Sequence, residues 1–225
     1  MRTLPEGAPA SRRRIVHRRA GPHHRARARG RATRAAHLSP PASADRCVGV
    51  LLAGGSARRF GGRPKGLAAI GGARIADLAL GALRSATTEQ VVVANDRRAS
   101  DWFPGERVVA DAAPGLGPLA GIAAGLEAAA GAPVVVVAWD MPFVTAGLLL
   151  ALRRRSEGGT EAVIPVDAAS AHAQPLVACY PASALPVCRS LLAAGERRAV
   201  ALLDALPTAR RMRPDELAPF GDPSR

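Results

Sequence analysis

Lysine is nearly missing from this 225-residue chain: Lys65 stands alone against 30 arginines. A composition that writes Arg at every other basic position keeps its one Lys inside the most glycine-rich stretch. That exception points to a place where a compact ammonium point charge is needed and a planar guanidinium is not equivalent. Cysteine is also scarce. Cys47, Cys179 and Cys188 form no short-spaced ligand pair, and an odd number argues against a disulfide framework. Buried, reduced thiols are the expectation. No apolar run approaches the roughly 20 residues that a membrane-spanning helix needs, so the chain reads as soluble and cytoplasmic, with no membrane partner. Aromatic residues make up 3% of the chain, and none lies before Cys47. What is present in quantity is apolar: 48% of residues, enough for a sizeable core in one domain with an appendage.

The formal charge of +13 raises the question of nucleic acid, and its location answers it. Residues 1–46 hold 12 arginines against Glu6 and Asp45, a balance of +10, whereas residues 47–225 hold 19 basic and 16 acidic residues, a balance of +3. The basicity therefore belongs to a tail. Residues 1–45 are expected to be a disordered Arg-rich extension, because their low aliphatic content cannot offset the entropy of ordering. Ser11-Arg12-Arg13 is followed by no apolar h-region, which excludes a twin-arginine export signal. With no aromatic residue interleaved for base stacking, nucleic acid is set aside as a partner. A misassigned start or the arginine bias of a GC-rich genome would equally produce such a tail. Residues 46–225 form the expected folded domain.

From Cys47 onward strand and helix patterns alternate. Apolar or β-branched runs predict strands at 47–52, 90–94, 107–110, 133–139, 161–165 and 175–180, with a weaker one at 208–212. Helical patterns cover 75–83, 119–130, 145–155, 184–194 and 199–206, with Thr145 as an N-cap. Pro133–Trp139 is the strongest strand signal, and its unbroken apolar run predicts burial on both faces at the middle of a sheet. The order predicts an α/β fold, a Rossmann-like three-layer αβα core with a mostly parallel sheet. In such sheets ligands bind beyond the carboxyl ends of the strands, which directs attention to the segments after Leu52, Ala94, Ala110 and Trp139.

Three of those segments carry chemistry. Leu52-Ala53-Gly54-Gly55 leaves the first strand and leads through Arg58, Arg59 and Gly61 to Lys65. Glycines there expose backbone N–H groups to an anion, and the cations match a nucleoside triphosphate. A flexible surface loop is the bland alternative. The stretch is not a Walker loop, because Lys65 is followed by Gly66 and no Ser or Thr. The second segment runs from Asp111 to Gly121. Its Gly115-x-Gly117-x-x-Ala120 mimics a dinucleotide fingerprint, with Asp140 downstream, but Asp111–Pro114 separate the strand from the first glycine. The third is Asp140 itself, at the end of the most apolar strand in Trp-Asp-Met-Pro. Magnesium takes one or two carboxylates plus phosphate oxygens, so one well-placed Asp suffices; the alternative is a cap on the Met141-Pro142 turn. His172, alone in the folded part, reads as incidental. Gly195-Glu196-Arg197-Arg198 is either a solvated helix–helix turn or an anion contact.

Together, Leu52-Ala-Gly-Gly with Arg59-Phe-Gly and Lys65, then Gly117-Pro-Leu-Ala-Gly121, Asp140-Met-Pro142 and Gly195-Glu-Arg-Arg198 resemble the molybdenum cofactor guanylyltransferases, from about Val48 to Leu206. The resemblance implies transfer of GMP from GTP to the terminal phosphate of Mo-molybdopterin, with Mg²⁺ as cofactor, giving the guanine dinucleotide cofactor and pyrophosphate. It implies that Leu52, Ala53, Gly54, Gly55, Lys65, Asn95 (displaced by one position from the family's Asn), Asp111 and Asp140 bind nucleotide, and that Asp140 binds the metal. Lys65 and Arg59 take catalytic roles. Gly117, Pro118, Leu119 and Gly121 face the base, and Gln174, Pro175, Arg197 and Arg198 face the acceptor. Contacts with molybdoenzymes or other cofactor-biosynthesis proteins are implied as well. Other readings stay open: a nucleotidyltransferase for CTP or a sugar phosphate, a nicotinamide-dependent oxidoreductase, or a non-catalytic nucleotide binder. One departure stands out. Where the family has an Asn-rich F-x-N-x-N-T-P-x-x-L segment contributing to the metal site, this chain has Pro214-Asp-Glu-Leu217 and Phe220-Gly-Asp-Pro-Ser-Arg225; Asp222 is not assigned to the metal.

Overall fold

The alternation predicted from the apolar runs is present in the computed structural model, which describes residues 46–54, 64–111, 115–167 and 170–220. In chain order the elements are β1 (Val48–Leu52), a 3₁₀ turn (Lys65–Leu67), β2 (Ala69–Ile70), β3 (Ala73–Arg74), α1 (Ile75–Ala86), β4 (Glu89–Val93), α2 (Ala99–Trp102) and β5 (Arg107–Val109). They continue with α3 (Pro118–Ala128), β6 (Val134–Ala138), α4 (Ala146–Arg155), β7 (Ala162–Pro165), β8 (Val177–Tyr180), α5 (Ala184–Ala193), α6 (Val200–Ala205), β9 (Ala209–Met212), α7 (Pro214–Leu217) and a 3₁₀ turn to Phe220. The extension before Arg46, and Gly55, Arg58, Arg59 and Asp222, lie outside the described residues.

Among the described residues seven strands form one sheet in the order β5-β4-β1-β6-β8-β7-β9. Strands β5, β4, β1 and β6 pair in parallel, as do β7 and β9, whereas β8 runs antiparallel to both β6 and β7. The reversal has a local cause. The described residues between β7 and β8, 166–167 and 170–176, hold no crossover helix, and a parallel return needs one. The weak 208–212 run is a real edge strand, β9, and the hairpin β2–β3 escaped the sequence reading because its strands are two residues each.

Strand side chains alternate between two cores. Leu51, Val92, Val135, Val137, Val163 and Cys179 pack with α1 and α4 on one face. Val50, Leu52, Val91, Val93, Val134, Val136 and Tyr180 pack with α3, α5 and α6 on the other. Period-two alternation with both sets buried is what a sheet covered on both faces requires. The three cysteines are buried and free. Burial pushes the Cys47 thiol up to about 11 and those of Cys179 and Cys188 to about 12, which makes them poor nucleophiles.

Helix α3 lies unusually close to β1. A Cβ on Gly125 would fall 2.6 Å from Val50 Cγ1, and one on Gly121 would fall 3.1 Å from Leu52 Cδ2. Spaced four apart, these glycines share one helix face. Their lack of a side chain lets the N-terminus of α3 reach the carboxyl end of β1. Thr145 caps α4 as the sequence predicts, its Oγ1 accepting from Leu148 N at 3.2 Å.

Candidate active site

The carboxyl ends of the parallel strands bring the sequence-predicted residues to one edge of the sheet. Leu52 ends β1, and its carbonyl accepts from Trp139 N at 3.1 Å, while Ala53 N donates to Val93 O at 2.8 Å. These bonds lock the exits of β1, β4 and β6 together. Gly54 follows, exposed, with open space where a side chain would stand.

Asn95 and Asp111 leave the adjacent strands β4 and β5 and meet side by side. Asn95 Nδ2 donates to Asp111 Oδ1 at 2.7 Å, and Asp111 N donates to Asn95 Oδ1 at 3.0 Å. The amide thus uses both of its ends on Asp111 and fixes that carboxylate at the strand exits. Asp140 differs. It is exposed just beyond β6, and its carboxylate has no hydrogen bond or ion pair with any described residue. The turn that follows is closed by Met141 N donating to Ala138 O at 3.3 Å, a main-chain bond. Asp140 is therefore no turn cap.

Lys65 opens the 3₁₀ turn, exposed, with its carbonyl accepting from Ala68 N at 3.0 Å. Gly66, next to it, is buried against the Trp139 indole. The lysine's turn thus rests on the residue preceding Asp140.

The reversed β8 brings in the acceptor-side residues. Ala138 N donates to Leu176 O at 2.9 Å, so the start of β8 lies beside the end of β6. Gln174 N donates to Pro165 O at 2.9 Å, and Tyr180 Oη donates to the Pro175 carbonyl at 2.8 Å, holding Gln174-Pro175 at the same edge. His172 is exposed in that connection, and its carbonyl accepts from Asp167 N; no side-chain bond from any described residue engages its ring.

Residues 196–198 reach the edge through α3. Gly117 precedes that helix at φ 78°, and a Cβ there would fall 2.8 Å from the Arg197 carbonyl; Leu119 N donates to the same oxygen at 3.4 Å. This contact between segments 80 residues apart joins the predicted base loop to the predicted acceptor turn. Glu196 shapes the turn. Its Oε1 accepts from the backbone N–H of Arg197 at 2.8 Å and of Arg198 at 2.9 Å, while Oε2 pairs with the Arg198 guanidinium at 2.7 Å. Arg198 is thereby committed to Glu196. The Arg197 guanidinium makes no hydrogen bond or ion pair with any described residue.

The Arg198 side chain first, and the two backbone donors next, hold the Glu196 carboxyl down at about 2 against an ordinary 4.5. A depressed carboxylate contributes fully above its ordinary value and loses that contribution as pH falls through the folded one. The Arg197 and Arg198 amide signals should therefore titrate with a midpoint near 2. A midpoint at 4.5, followed by NMR, would show that the clamp does not form.

Among the described residues no group of three or more His, Cys, Asp or Glu side chains could enclose a metal. The donor set suits a different arrangement. One exposed carboxylate with no partner among the described residues fits a hard cation that takes its remaining ligands from phosphate oxygens and water.

Known proteins resemble this chain in sequence and in fold. A family model described as the MobA-like NTP transferase domain matches residues 49–210. The chain is 38% identical over 161 residues to a probable molybdenum cofactor guanylyltransferase of Chloroflexus aggregans, covering 70% of this chain and 76% of that protein. It is 36% identical over 162 residues to the molybdenum cofactor guanylyltransferase of Serratia proteamaculans, covering 72% and 81%. The crystal structure of molybdopterin-guanine dinucleotide biosynthesis protein A from Archaeoglobus fulgidus superposes with a TM-score of 0.65 at 26% identity, over 77% of this chain and 86% of that one. The dinucleotide-fingerprint reading of Gly115–Ala120 falls away, and the chain belongs to the MobA-like NTP transferase family.

Proposed function

We propose that this chain transfers GMP from GTP to the terminal phosphate of Mo-molybdopterin, releasing pyrophosphate. The observation that carries the reading is the exposed Asp140 at the exit of β6, with no partner among the described residues, beside the turn bearing the chain's single lysine. The names of the relatives support the guanylyl donor and the pterin acceptor.

In this reading an oxygen of the acceptor's terminal phosphate attacks the α-phosphorus of GTP in line. The new P–O bond forms as the bond from the α-phosphorus to the bridging oxygen breaks, and pyrophosphate leaves with that electron pair. The attacking phosphate is already ionised, so no general base is required. Two polyanions must meet, so the work of the protein is positioning and charge neutralisation. Lys65 and the N–H groups of the loop opening at Leu52–Gly54 hold the triphosphate. Asp111, steadied by Asn95, lies along the nucleoside, and Gly117–Gly121 face the base. Gln174, Pro175 and Arg197 meet the acceptor. Arg198 serves indirectly, through its pair with Glu196. Asp140 is the residue that would hold a divalent cation, here proposed as Mg²⁺, which when bound supplies positive charge to the phosphate oxygens.

The deciding experiment is pyrophosphate release with GTP, CTP and a sugar phosphate or molybdopterin as acceptor, with and without Mg²⁺. Turnover with GTP and molybdopterin alone is expected. Faster turnover with CTP would assign another base, and nucleotide binding without pyrophosphate would mark a non-catalytic binder. We place catalysis in residues 46–225 and in the cytoplasm. No helix among the described residues is long and apolar enough to cross a membrane. Deleting residues 1–44 should leave the melting temperature and turnover nearly unchanged, because they hold the basic excess and carry no core-forming apolar pattern. A large loss of either would give the extension a structural or catalytic part.

A further inference from the structure

Gly66 raises a question that backbone conformation does not answer. It is not among the glycines with positive φ, so an alanine there would meet no conformational penalty. What forbids a side chain is one neighbour. A Cβ built on Gly66 would fall 2.5 Å from Trp139 Cε3 and 2.8 Å from Cγ, in the face of the indole. The ring has little freedom to withdraw. Trp139 is 6% exposed within a buried core, and its ring stacks on Trp102 at 6.0 Å between ring centroids with 28° between planes. The Arg98 guanidinium lies 5.2 Å over Trp102 and is itself held by Asp96 at 2.8 Å. Stacking of this kind restrains the ring.

Trp139 also has two other attachments at the same edge. Its backbone N–H donates to Leu52 O at 3.1 Å, where the glycine loop begins, and its carbonyl carbon is bonded to Asp140. One residue therefore touches the start of the loop through its main chain, the lysine turn through its ring, and the carboxylate through the next peptide bond.

We infer that Trp139 is a positioning residue, whose indole sets the Lys65 turn at a fixed place relative to Asp140 and Leu52, and that Gly66 is glycine to admit that ring. The inference rests on the proposed roles of Lys65 and Asp140 and adds a part that neither the motif nor the family reading assigns. A displacement of about 1 Å at such a site costs up to about a hundredfold in rate.

The test is a double-mutant cycle on the full chain: wild type, Gly66→Ala, Trp139→Leu and the double variant. Each is measured for pyrophosphate release with GTP and molybdopterin, for Mg·GTP and Mg·CTP affinity, and for melting temperature. Gly66→Ala should lower turnover at least about tenfold, because the lysine turn is forced off the ring. Trp139→Leu should lower it less. The double variant should be no slower than Trp139→Leu alone, since the smaller side chain leaves room for the methyl group. Equal penalties for Gly66→Ala in both backgrounds would overturn the assignment. If Gly66→Ala does not fold, Trp139→Leu decides, and an unchanged turnover with unchanged nucleotide affinity would overturn it. A wild type that binds CTP and not GTP would displace the guanylyl reading and leave the cycle to be read with CTP. A wild type that binds neither nucleotide would overturn both.

Discussion

Asp140→Asn should lower metal-dependent turnover at least about a hundredfold, about 2.7 kcal/mol in the barrier, while the protein stays folded. The carboxylate stands exposed at the exit of β6 with no partner among the described residues, so its charge stabilises nothing within them. An amide preserves the shape of the side chain. It lacks the formal charge that would hold a hard divalent cation against a triphosphate. The following turn closes through Met141 N and the Ala138 carbonyl, so the substitution leaves it intact. The measurement is turnover across a magnesium titration beside the melting temperature of each protein. Equal rates at saturating magnesium would remove Asp140 from the metal. A fall in melting temperature would mean that the side chain supports the fold.

Lys65→Arg, nominally conservative, should cost at least about tenfold in turnover, about 1.4 kcal/mol. The charge is unchanged, so any loss reports geometry. An ammonium is a compact point charge on a flexible stem, whereas guanidinium is a planar fork that needs room for two parallel contacts. The turn that carries Lys65 is seated on Trp139 through Gly66 and cannot retreat to make that room. Because Lys65 is exposed, its replacement should leave the melting temperature within a degree or two of wild type. Wild-type turnover in the Arg variant would show that any cation serves, and that the chain's one lysine is an accident of composition.

Much of the fold was legible because a buried strand and an amphipathic helix leave different periods in a sequence. Val134–Ala138 is buried at every position, as its unbroken apolar run implied, and Thr145 caps α4 as a threonine before a helical pattern should. The edge where Leu52, Asn95, Asp111 and Asp140 meet followed from the rule that parallel sheets bind ligands beyond their carboxyl ends. Their pairing did not follow. That Asn95 is spent on Asp111, and that Arg198 is spent on Glu196 while Arg197 is not, depends on side-chain contacts that no spacing encodes.

By itself the sequence determined the α/β alternation, the family, and the short set of residues to suspect. Those depend on local patterns: apolar period, glycine-rich turns, and rare residue types such as the single lysine. Tertiary structure alone decided the reversed direction of β8, the closeness of α3 to β1, and two contacts between candidate segments far apart in sequence. Gly117 meets Arg197 across 80 residues, and Gly66 meets Trp139 across 73. At Gly117 the positive φ already favours glycine, but at Gly66 the backbone does not, and what excludes a side chain there is an indole far along the chain, brought near only when the sheet closes and its helices pack.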